Sequence, residues 1–80
     1  MISMNEQAQT HAITRETLAH IEQHVQSRLT GRLLDFHCLF RDGGLVLCAH
    51  AHTYYAKQLA QHAVMEASSL PIRANEIDVR

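Results

Sequence analysis

Between Asp35 and His52 the chain gathers three histidines, two cysteines and two aspartates, of which Asp35, His37, Cys38, Cys48, His50 and His52 lie outside the Asp42-Gly43 turn. These residue types bind borderline-soft divalent ions, and a Cys-His-His or Asp-His-His set has the composition of a zinc site. A Cys-His pair also offers a thiol nucleophile and its base. Composition is not geometry, however, because neighbouring side chains on a flat strand pair point parallel whereas a tetrahedral site needs them to converge. No Cys-x-x-Cys or His-Glu-x-x-His spacing supplies that convergence. No acid, oxyanion donor or substrate cleft can be read beside His37 and Cys48. The sequence therefore predicts no metal site, no cofactor and no catalytic residue, with His37, Cys48, His50 and His52 as the side chains that would ligate in the alternative case of a histidine- and cysteine-based metal binder. His20 and His24, four residues apart, could form at most an incidental two-ligand site on a helix flank.

The elements that position these residues follow from periodicity and turn chemistry. Thr14 is a good N-cap, with Ile13 and Leu18 in the two positions of a hydrophobic staple, which predicts a helix from Arg15 to about Arg28. Its apolar stripe is Leu18, Ile21, Val25 and Leu29, and Thr30-Gly31 ends it. From Arg32 the period becomes two, with Leu34, Phe36, Cys38 and Phe40 alternating against Leu33, Asp35, His37 and Leu39. Asp42-Gly43 suits a two-residue type I′ hairpin turn into a second strand, Leu45 to Ala51. If Arg41 pairs with Gly44, then Phe40 faces Leu45, Cys38 faces Leu47, Phe36 faces Ala49 and Leu34 faces Ala51, all apolar. Thr53 caps a second helix, about Tyr54 to Ala67, whose inner stripe of Ala56, Leu59, Ala60, Ala63 and Ala67 is nearly all small. Ser68-Ser69-Leu70-Pro71 breaks it, and Ile72 to Val79 reads as a third strand. Because Ile72 and Ala74 have opposite parity to Ile77 and Val79, a bulge or twist near Asn75 is expected.

The predicted fold is thus α+β: one small domain with the order α-β-β-α-β, a three-stranded sheet and both helices packed on one face. Residues 1–12 are polar and aperiodic and are expected to form a flexible N-terminal arm, leaving residues 13–80 as the domain. That arm lacks the basic start and apolar run of a signal peptide, which predicts a cytoplasmic protein. Seven Lys+Arg against eight Asp+Glu leave no basic run to neutralise phosphates, so nucleic acid is not an expected partner.

This order resembles the BON domain, a bacterial module of similar length. The second strand of that family reads glycine and then alternating Val, Leu, Gly and Val, matched here by Gly43, Leu45, Leu47, Ala49 and Ala51. The family ends in Val-x-Asn-x-Leu-x-Val or a close variant, to which Ala74-Asn75-Glu76-Ile77-Asp78-Val79 is similar. Tyr54-Tyr-Ala-Lys-Gln-Leu-Ala60 is also similar to a subgroup of small BON-like proteins. The resemblance covers roughly residues 13–80, and Ala49 departs from the mid-strand glycine. It implies a non-enzymatic attachment module with a protein or phospholipid partner.

With the helices on the side of Leu34, Phe36, Cys38 and Phe40, the opposite sheet face should carry Asp35, His37, Cys48, His50 and His52, with Asp35 opposite His50. Leu33, Leu39 and Val46 would lie among them as an apolar patch, and an 80-residue chain buries only roughly 60% of its unfolded surface, so covering that patch would help stability. A homodimer through this face or through a sheet edge is the expected arrangement.

Overall fold

The computed structural model describes residues 13–80; the expectation of a flexible arm over residues 1–12 lies outside them. Helix α1 spans Arg15–Arg28, strand β1 Leu33–Arg41, β2 Gly44–Ala51, helix α2 Tyr54–Ala67, β3 Ile72–Asn75 and β4 Asp78–Val79. The domain is α+β, with both helices on one side of a mixed four-stranded sheet. β2 is central, paired antiparallel with β1 on one side and parallel with β3 and then β4 on the other. The parallel pairing follows from α2, which carries the chain back along the sheet before β3 begins.

Local chemistry sets the boundaries. The Thr14 hydroxyl accepts a hydrogen bond from the Thr17 N–H, and the Thr53 hydroxyl accepts one from the Ala56 N–H, each satisfying an otherwise orphaned donor in a first helical turn. Gly31 ends α1 with φ 81°, while Asp42 at 53° and Gly43 at 83° make the left-handed pair of the hairpin turn. The expected single third strand is instead two short ones. Asn75 breaks it: its side chain accepts from the Ile77 N–H at 3.2 Å and donates to Gln61 at 3.1 Å, while the Glu76 N–H bonds to the Leu47 carbonyl at 2.8 Å. That break resets the parity and turns Ile77 into the core, as the alternation implied.

β1 departs from its expected register in one place. From His37 to Arg41 the pairing is as anticipated, with Cys38 opposite Leu47, Phe40 opposite Leu45 and Arg41 opposite Gly44. A bulge intervenes between Leu34 and His37, where Asp35 takes φ 56°. The faces exchange beyond it: Leu33, not Leu34, pairs with Ala51 and packs against the core, and Leu34 pairs with His50 and is 52% exposed.

The core joins Leu18, Ile21, Val25 and Leu29 of α1 and its C-cap to Ala56, Ala60, Ala63 and Val64 of α2, over Phe36, Cys38, Leu45, Leu47 and Ile77. The small residues Ala56, Ala60 and Ala63 of α2 are buried in this core, and Phe36 supplies bulk to it. Phe40, expected on the helix-covered face with Phe36, is 38% exposed. Gln26 bonds at Phe36 and Glu22 at Cys38, so four helix residues keep pace with two strand residues. Phe40 therefore falls level with the first turn of α1, on a strand that is at the edge of the sheet among the described residues.

Candidate functional site

The sheet face away from the helices is the site to which the sequence assigned its chemistry. β1 contributes Leu34, His37, Leu39 and Arg41 to it, and β2 contributes Gly44, Val46, Cys48 and His50. Ala74 of β3 lies beside Val46, and Asp78 of β4 lies beside His50. Of the apolar residues expected there, Leu39 is 37% exposed, whereas Val46 is only 4% exposed because Leu39 and Ala74 flank it on the neighbouring strands. Leu33 is displaced to the helix side by the bulge, and Leu34 takes its place on the open face.

The candidate ligands are dispersed rather than gathered. His37 is opposite Cys48, as the register implied, but the His37 Nδ1–H turns back to the Asp35 carbonyl at 3.2 Å. Asp35 itself is taken up by the bulge and does not pair with His50. The partner of His50 is Asp78, whose Oδ1 accepts from Nδ1 at 2.7 Å, with Arg80 a further 3.8 Å from the same carboxylate. His52 leaves the face altogether. It follows the end of β2 and lines a shallow hollow with Gly31, Arg32, Thr53, Tyr55 and Ala56. Among the described residues no group of three or more His, Cys, Asp or Glu is placed to hold a metal ion.

Neither thiol is poised as a nucleophile. Burial pushes the Cys38 thiol up to about 11, with the Glu22 carboxylate adding to the effect. Burial also raises Cys48, helped by Glu76 and opposed by Arg41. Asp78 is shifted the other way. The hydrogen bond from His50 holds its carboxyl below the ordinary aspartate range, with His50 and Arg80 charge contributing further.

The sheet edges have their own chemistry, which the sequence did not disclose. The Cys38 N–H points outward from β1 and donates to Glu22 Oε2 at 3.0 Å, and the Phe36 carbonyl accepts from Gln26 Nε2 at 3.0 Å. Two side chains one helical turn apart thus close the backbone edge that another strand would use. Arg15 holds Glu22 in place through its second oxygen at 3.1 Å. The opposite edge is divided by the Asn75 break. Beyond the sheet, Glu66 of α2 receives His24 at 3.2 Å and Arg28 at 2.9 Å, tying the helices together at the surface. Asp78 was within reach of the sequence, since Ile77 in the core forces its neighbour onto the open face; Glu22 and Gln26 carried no comparable signal.

Among the described residues no helix is long and apolar enough to cross a membrane. No family model, curated protein or solved structure matches the chain.

Proposed function

We propose that this chain is a non-enzymatic binding module that works through the open face of its sheet, in the first instance by pairing with a second copy of itself. The observation that supports it is the pair Leu34 and Leu39, exposed on a face that neither helix covers. Full burial of a leucine side chain contributes roughly 1.5–3 kcal/mol, so a partner surface over these two gains part of that for each. Face-to-face pairing is favoured over edge pairing because Glu22 and Gln26 occupy one edge and the Asn75 break interrupts the other. A closed two-fold dimer consumes the patch on both copies without open-ended growth.

The resemblance to the BON family extends the proposal to an attachment role, with a protein or a phospholipid surface as the further partner. The cytoplasm is the proposed compartment, because both cysteines are free and sit on opposite faces of the hairpin, Cys38 opposite Leu47 and Cys48 opposite His37. Thiol counting on protein isolated under alkylating conditions checks this; an oxidised Cys48 would contradict it.

Sedimentation of the full chain at micromolar concentration should report twice 9.1 kDa. Leu34→Asp with Leu39→Asp should give a monomer whose circular dichroism matches the wild type. A wild type that sediments as a monomer at every concentration overturns self-association. Co-sedimentation with vesicles of anionic phospholipid then decides whether the face docks on lipid instead.

A further inference from the structure

The open face is not uniform along its strands, and that asymmetry selects an orientation for the second copy. At the hairpin end Arg41 pairs with Gly44, and the aliphatic stem of Arg73 lies where a Gly44 side chain would project. Both guanidinium groups therefore belong to this end. Asp78 lies beside His50 at the other end, and Glu76 sits between, close enough to Cys48 for its charge to act on the thiol. Arg80, 3.8 Å from Asp78, offsets only part of that negative charge.

A two-fold dimer of facing sheets has two simple forms. With its axis along the strands, β1 of each copy lies over β3 of the other, so Arg41 meets the partner copy's Arg73 and like charges are set together at the hairpin end. With its axis across the strands, each strand lies reversed over its own counterpart, so Arg73 of each copy lies over the Glu76 and Asp78 end of the other. Leu34 then lies over the Arg41 stem of the partner copy, which provides an apolar seat. We infer that the open face receives a second copy of this chain with its strands reversed, hairpin end over C-terminal end. The inference rests on the self-association proposed above and adds the arrangement of the partner.

Spin labels on the full chain read this arrangement directly. Cys38 is buried, so a Cys48→Ser, Arg80→Cys chain takes one accessible label beside Ala51, whose carbonyl accepts the Arg80 N–H at 2.9 Å. The reversed dimer separates the two labels by at least the length of β2, eight residues or about 26 Å at ~3.3 Å per residue. The parallel form leaves them one sheet spacing apart in depth, ~10 Å, and two strand spacings apart sideways, ~10 Å, plus the label arms. Pulsed electron–electron distances in the longer range are expected; a short distance overturns the orientation while leaving self-association intact. As a second readout, Arg41→Glu with Arg73→Glu should abolish the dimer, and adding Glu76→Lys with Asp78→Lys should restore it. A dimer indifferent to the first pair contradicts the charge pairing. An unlabelled wild type that is monomeric fails the underlying proposal instead, and sedimentation distinguishes that failure from the other two.

Discussion

Asp78 and His50 add a side-chain hydrogen bond across the pairing of β4 with β2. The hydrogen bond from His50 favours the ionised carboxylate, so Asp78 releases its proton more readily in the folded chain than in the unfolded one. The sign follows: the stabilisation is fully present above the ordinary aspartate range and is lost as pH falls through the lowered folded value. Asp78→Asn should therefore lower the thermal midpoint at neutral pH and flatten its decline on acidification, while wild type and variant converge in strong acid. Parallel curves for the two chains over the acid range would show that the pair contributes nothing. The sequence pointed to Asp35 as the partner of His50, and the reason it misled is specific. Leu33 and Leu34 are both leucine, so the apolar alternation remains satisfied whichever of them faces the helices. The bulge at Asp35 exchanges them without leaving a trace in the pattern, except that aspartate tolerates the positive φ it needs.

α1 acts on β1 in two ways, through its buried stripe and through the Glu22 and Gln26 side chains that occupy the outer backbone edge of the strand. Replacing both by alanine leaves the Cys38 N–H and the Phe36 carbonyl without protein partners, a loss of about 1–3 kcal/mol. It also opens a strand edge. Glu22→Ala with Gln26→Ala should show a lower denaturation midpoint together with higher oligomers in light scattering, whereas Gln23→Ala with Ser27→Ala, exposed on the same helix, should show neither. Unchanged scattering from the first pair would mean that the edge needs no cover. The elements themselves were legible wherever a local rule acted: threonine caps began both helices, Asp42-Gly43 closed the hairpin, and the parity clash between Ala74 and Ile77 placed the break in the last strand. The edge cover was not legible, because a glutamate and a glutamine one turn apart on a helix look the same whether they meet water or a strand.

The described residues form a two-layer domain whose sheet has one face free of helices, and its stability should depend on packing rather than on a bound ion. The dispersal of His37, Cys48, His50 and His52 predicts that EDTA leaves the thermal midpoint unchanged. A structural zinc would contribute on the order of 10 kcal/mol to folding, so a large drop on chelation, lost in Cys48→Ser, would contradict this. At this scale the sequence showed that one sheet face lacks helices, but which leucines lie on it depends on the bulge, and the charge asymmetry depends on strand order. Self-association through the open face, as proposed, should move backbone resonances as the protein is concentrated. Amide chemical shifts followed from micromolar to millimolar concentration test it most directly. Concentration-dependent shifts are expected at Leu34, Leu39, Val46, Cys48, His50 and Ala74, with the outer surfaces of α1 and α2 unchanged. Shifts confined to the helices, or spectra that do not change with concentration in a chain that tumbles as a monomer throughout, would contradict it.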